Sequence, residues 1–259
     1  MKSLEVLRKS GLVTFKLNRP EIHNAFDPYL IKELQDALAS IKDEDRAVLL
    51  CAEGESFCAG ADLKWMKNMA SYTREENLVD SGNLFDMIYS LRACPVPVIA
   101  KVQGAAIGGG AGLLSACDIA LAGPNSKFGF TEARLGLLPA VISPFVLEKI
   151  GQSAASRYFI TGELFGAQEA LRIGLIHVAC STDDELATQT NRIIQKIFNN
   201  GPHAVRESKK LILDWTPSLT NQKERVTAKI ADARISKEGQ EGMNAFFEKR
   251  LASFSQKVT

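Results

Sequence analysis

The chain has 259 residues, 46% hydrophobic and 24% charged, with 31 Lys plus Arg against 30 Asp plus Glu. That suits a globular protein with a real core, and a formal charge of +1 gives no electrostatic reason to expect a nucleic-acid or membrane-surface partner. Five cysteines without a CxxC spacing and three histidines without ligand spacing argue against a disulfide framework or a metal site, and no cofactor is expected; with no signal-peptide core and no apolar run long enough to span a bilayer, a cytoplasmic protein with reduced thiols is expected.

In chain order, LEVLRK and LVTFKLN read as paired strands around a turn at Ser10 and Gly11. YLIKELQDALASI has Leu30, Leu34, Leu38 and Ile41 at helical spacing, with Asp27 and Pro28 as cap and first-turn residue. AVLLCAE is a short apolar strand, EENLVDSGNLFDMIYSLRAC a helix, and VIAKVQG a strand running into Gly108–Gly110. A helix over Leu113–Cys117, the strand DIALAG and a short strand near FGF follow. Buried apolar strands alternating with helices predict an α/β protein with covered sheets. From about Ser153 onward the sequence reads as helical with no strand. A core over residues 1–190 and a helical region over 191–259 are therefore expected. No low-complexity linker or close repeat is present.

Three consecutive glycines weaken both helix and strand, so a bare backbone must serve something else there. The triplet follows a strand and opens a helix, where backbone N–H groups lack intrahelical partners. No Gly-Lys-Ser/Thr follows, which excludes a P-loop. Close packing of helix on strand and a site for developing negative charge on a carbonyl oxygen are the two readings, and three glycines together favour the second. SFCAGADLKWM offers a second strand–turn–helix, in which Asp62 caps the helix and the N–H of Ala61 projects from its first turn. Glu132, in FTEARLG, lies between apolar residues where desolvation raises a carboxylate pKa. A surface glutamate beside Arg134 is the other reading of that segment.

FCAGADL, GAAIGGGAGL, CDIALA and FGFTEARLGLLP resemble, in order and spacing, the crotonase (enoyl-CoA hydratase/isomerase) superfamily. The likeness extends through FITGELFGAQEALRIGLIHVAC to FFEKRLASF. It implies a spiral of ββα units with a helical C-terminal trimerisation region, and an acyl-CoA thioester as substrate, with coenzyme A part of that substrate. It implies a homotrimer or dimer of trimers. By the resemblance, the Ala61 and Gly109 amides form an oxyanion hole and Glu132 is the acid/base. Gly112 stands where many hydratases carry a first glutamate. One-glutamate members include Δ3-Δ2 enoyl-CoA isomerases and some hydratases of branched substrates. A non-catalytic acyl-CoA binder is a third class. PAVISPFVLEKIG, from Pro139, looks like the 3-methylglutaconyl-CoA and related glutaconyl-type hydratases of leucine and isoprenoid breakdown; there Arg134 would pair with the second substrate carboxylate, unless alternation points it away. NRPEIHNAF resembles the CoA-binding segment, with the backbone of His23, Asn24 and Ala25 against the nucleotide. Ala59, Asp62, Leu63, Gly108 and Pro139 flank the same groove, and Lys249 reaches the CoA phosphates, in its own or a neighbouring subunit. Trp65 and Met66 line an acyl pocket or pack in the core. Asp118 satisfies backbone donors, Cys58 and Cys117 are buried apolar residues, and Glu163 caps a helix.

Overall fold

The computed structural model describes residues 3–215 and 219–256. Two strands, β1 (Leu4–Lys9) and β2 (Leu12–Leu17), pair antiparallel. Ser10 and Gly11 both have positive φ, the requirement of a tight turn whose twist matches its strands. Helix α1 (Pro28–Ala39) starts where Asp27 Oδ1 accepts from the Leu30 amide at 2.9 Å. Strand β3 (Ala47–Ala52) follows, then α2 (Leu63–Met69) and α3 (Arg74–Arg92), the latter opened by a Thr73/Glu76 capping box. Next come β4 (Val98–Val102), β5 (Ala105–Ile107), α4 (Gly109–Ser115), β6 (Ile119–Ala122) and β7 (Lys127–Gly129). Helix α5 (Ser143–Thr161) is broken at Gly151, whose φ is 69°. Strand β8 (Leu164–Gly166), α6 (Ala167–Arg172) and β9 (Val178–Ala179) precede α7 (Asp183–Phe198), α8 (Pro202–Trp215), α9 (Lys223–Ile235) and α10 (Lys237–Phe247).

The larger sheet runs β1-β2-β3-β4-β6-β9, parallel except for β1 against β2. Its strands are apolar on both faces because both are covered. Val48, Leu50, Val98 and Ala100 join the main core, while Ala47, Ile99 and Leu121 join a second layer with Leu186 and Ile197 of α7. The smaller sheet, β5-β7-β8, carries Gly108 and Glu132 just beyond the ends of β5 and β7.

Several expectations change. Two strands lie beyond Ser153: β8 pairs with β7 and β9 with β6. At three and two residues they are too short to show an alternating pattern. Helix α4 starts at Gly109, four residues earlier than Leu113, because its glycines are needed for packing and not for helix propensity. The boundary expected at residue 190 falls inside α7, which packs on the main sheet. Glu163 caps no helix; it follows the end of α5 and pairs with Arg157 at 2.6 Å. Asp118 accepts from the Val98 amide at 2.8 Å, and also pairs with Lys209 at 2.7 Å. Cys58 and Cys117 are buried, which pushes both thiols up to about 12.

Candidate active site

The site begins with two turns held against each other by backbone hydrogen bonds. The Phe26 amide donates to Gly60 O at 2.8 Å and the Asp62 amide to Phe26 O at 2.9 Å, so residues 60–62 run beside Phe26 like a short strand. The Cys58 amide donates to Ala105 O at 2.9 Å and the Ile107 amide to Cys58 O at 3.0 Å, which ties that turn to β5. Gly60 has φ +94°, and a Cβ there would meet Ile107 O at 3.0 Å and stand 3.7 Å from Gly109 N. The openings of α2 and α4 are therefore neighbours. Among the described residues, neither the Ala61 nor the Gly109 N–H has a protein acceptor. Two free amides side by side can hold one oxygen that gains negative charge.

Each glycine of the triplet meets a different steric demand. Gly108 has φ +54°, and a Cβ on it would come 3.2 Å from Glu132 Oε1. A Cβ on Gly109 would fall 2.3 Å from Phe26 Cζ. One on Gly110 would fall 2.2 Å from Cys58 O. Gly109 is thus bare because its missing side chain faces a buried ring. The two readings of the triplet therefore both apply at Gly109: its N–H is free to meet a carbonyl oxygen, while its Cβ direction is taken by packing. Gly112 is bare for a similar reason, since a Cβ there would lie 2.2 Å from Ile142 Cγ2. Ile142 fills the space that a glutamate at this position would need.

Glu132 opens a turn of 3-10 helix, Glu132–Leu135, directly after Thr131. Its Oε2 is sealed from solvent and has no hydrogen-bond partner among the described residues. Desolvation raises its pKa from the ordinary 4.5 to about 7, opposed only by a hydrogen bond from its own backbone. Its Oε1 lies close to the Gly108 backbone, and both residues line a cavity of about 700 Å³. Ala59, Ala61, Leu63, Gly108, Gly109, Glu132 and Pro139 all line that cavity, so these sequence-derived residues meet in one place. Trp65 and Met66 line it too, with Trp65 also packed in the core.

The other expected residues stand behind this wall. Asp62 caps α2, accepting from the Lys64 amide at 2.7 Å, and its other oxygen pairs with Arg19 at 3.1 Å. Asn24 is fully buried with positive φ; its amide donates to Glu53 O and Ser56 O, and its Oδ1 accepts from the Arg19 amide. His23 Nδ1 lies 3.1 Å from Ser56 Oγ, and His23 O accepts from the Ala59 amide. Ala25 O accepts from Arg19 Nη1 at 2.9 Å. These residues shape the turn that carries Ala61 without lining the cavity. Lys249 is exposed beyond α10 with φ 54°. Arg134 is exposed at the cavity rim, its stem over Gly162, with no side-chain partner among the described residues.

Sequence reading missed Arg19, which clamps Asp27 at 2.9 Å and Asp62 at 3.1 Å and so joins two caps to one turn. The only available signal was a basic residue just before Pro20 with two acidic caps downstream. It also missed Phe26 and Ile142 as the groups that forbid side chains on α4.

Among the described residues, no three His, Cys, Asp or Glu side chains gather as a metal would require, and no helix is long and apolar enough to cross a membrane. The family model described as enoyl-CoA hydratase/isomerase matches residues 8–257. A crotonyl-CoA hydratase of Syntrophomonas wolfei is 32% identical, over 96% of this chain and 96% of its own. The crystal structure of an enoyl-CoA hydratase from Shewanella pealeana is 39% identical with a TM-score of 0.80, covering 97% of this chain and 96% of that one. That of an enoyl-CoA hydratase from Mycobacterium avium is 31% identical with a TM-score of 0.86, covering 98% and 99%. With the two free amides, the facing carboxylate and a match along nearly its whole length, the chain belongs to the enoyl-CoA hydratase/isomerase (crotonase) family of enzymes.

Proposed function

We propose that the protein hydrates a 2-enoyl-CoA thioester, with Glu132 as its single acid/base and the Ala61 and Gly109 amides as its oxyanion hole. One observation carries this reading: a desolvated carboxylate with one sealed, unpartnered oxygen, Glu132 Oε2, and a pKa near 7 shares an apolar cavity with two unpaired amides. In the reaction, a water oxygen bonds to C3 as Glu132 takes its proton. The C2–C3 π electrons move toward the thioester oxygen, which the two amides hold as an enolate. Glu132 then returns a proton to C2, which restores the carbonyl. Losing one such amide donor typically costs about 2.7–4 kcal/mol of transition-state stabilisation.

The Syntrophomonas wolfei relative is a crotonyl-CoA hydratase, which supports hydration. Δ3-Δ2 isomerisation is the second reading, favoured by the single carboxylate: Ile142 occupies the space beside Gly112 where a second one would stand. The finer substrate reading is a branched glutaconyl-type acid, with the unpaired Arg134 at the rim as partner of its carboxylate. The assembly is a homotrimer or dimer of trimers, in which Lys249 meets CoA phosphates, and the CoA nucleotide lies along the His23–Ala25 turn.

A panel of enoyl-CoA thioesters followed by absorbance tests the reaction. Loss of the conjugated enoyl band marks hydration, and a gain from a 3-enoyl substrate marks isomerisation. No change with any thioester, with binding retained, overturns both in favour of an acyl-CoA binder.

A further inference from the structure

The cavity holding Glu132 is apolar over most of its depth, where Trp65, Met69, Leu84, Ile230 and Met243 line it. Arg134 and Arg250 stand at its exposed rim, but Arg234 of α9 is only 6% exposed and lines it as well. Arg234 Nη1 donates to Asp80 Oδ2 at 2.8 Å and to Asn77 Oδ1 at 3.0 Å, both on α3. Asp80 Oδ1 accepts from Trp65 Nε1 at 3.0 Å, and the Trp65 ring lies 6.1 Å from Phe26, the ring against which Gly109 packs. Asp80 and Asn77 do not line the cavity; Arg234 does.

Only one of the three guanidinium nitrogens is used. Nε and Nη2 have no acceptor among the described residues, and neither is sealed off. Arginine has five N–H donors, no acceptor, and no accessible neutral form. A hydrocarbon end pressed against these donors would strip their water and return no hydrogen bond, a costly exchange in an apolar setting. An oxygen at the same place would replace the water.

We propose that Arg234 is a specificity-determining residue that selects acyl chains carrying an oxygen acceptor, a carboxylate or a neutral carbonyl, at the end remote from the thioester. This rests on the reading that the cavity takes the acyl chain of a CoA thioester. Asp80 and Asn77 hold the guanidinium in place through one edge and leave the other edge for the ligand.

The test is calorimetric titration of the whole protein with saturated acyl-CoAs of graded length, each ending in methyl, in a neutral carbonyl or in a carboxylate. These ligands cannot be hydrated or isomerised, so the outcome is independent of which reaction the enzyme performs. At the length that reaches Arg234, oxygen-ended chains should bind about tenfold or more tightly than the methyl-ended chain. A carboxylate advantage over the neutral carbonyl identifies an acid, and equal affinity identifies a neutral acceptor. Arg234→Lys should keep part of the preference. Arg234→Met combined with Asp80→Asn, which leaves no lone buried charge, should abolish it. If that double variant does not fold, the wild-type ranking and Arg234→Lys decide. Equal or tighter binding of methyl-ended chains at every length overturns the proposal and leaves Arg234 as a tie between α3 and α9. Failure to bind any acyl-CoA overturns the reading of the cavity together with it.

Discussion

At Glu132, burial acts on stability and on activity at once. Its folded-state pKa, about 7, lies above the ordinary 4.5, so between those values the folded chain holds a proton that the unfolded chain has lost. Stability from this residue is therefore present below pH about 4.5 and falls as pH rises toward 7. Glu132→Gln should remove that slope, raising the urea midpoint relative to wild type at neutral pH. The same pH slope in both proteins would contradict the desolvation account. Turnover should show the complementary limb, with kcat/KM rising to a plateau above an apparent pKa near 7, because only the ionised carboxylate accepts a proton. The chemistry at this residue was partly legible in the sequence: apolar neighbours announced desolvation, but the choice between a buried acid and a surface glutamate beside Arg134 came from the family resemblance. What no pattern in the sequence states is that Oε2 lacks a partner among the described residues, since that depends on which backbone atoms the Gly108 turn brings near.

The element that makes the site is α4, and its glycines are the clearest case of tertiary packing overriding local propensity. Phe26 is 1% exposed and its ring fills the space beside Gly109. Gly109→Ala keeps the amide but forces the ring aside, so it should destabilise the fold by about 1–3 kcal/mol, the usual cost of overpacking. Chemical denaturation checks this; an unchanged midpoint would mean that Phe26 yields without cost. Any loss of turnover in that variant should then come from displacement of the two amides and not from contact with the thioester. Element existence was readable from apolar periodicity and from caps at Asp27 and Asp62. The start of α4 was not, because its glycines are poor helix formers and only Phe26, Cys58 and Ile142 explain them. Strands β8 and β9 escaped for the opposite reason: they are fixed by neighbours β7 and β6, with too few residues to carry a pattern of their own.

For the whole molecule, some apolar residues of the C-terminal half are taken up by the fold and others stay exposed. Ile193, Ile194, Ile197 and Phe198 cover the second layer of the sheet, and Ile230 enters the main core, so they need no partner subunit. Phe246 and Leu251 remain 45% and 77% exposed, beside the mouth of the cavity. The trimer proposed above therefore draws on exposed residues such as these. Light scattering at micromolar concentration should give a trimer or its double, and Leu251→Lys should weaken it. A stable wild-type monomer would remove the trimer and the role of Lys249 across it. The α/β class and the meeting of the two amide turns with Glu132 could be expected from motif order, while the assembly surface could not, because apolar content alone does not say which side chains the fold consumes. The central claim, that one carboxylate performs both proton transfers, is tested most directly by Glu132→Gln on the best substrate of the enoyl-CoA panel, with acyl-CoA affinity measured alongside. The account predicts a fall in kcat of at least about a hundredfold with affinity little changed; near-normal kcat in that variant would contradict it.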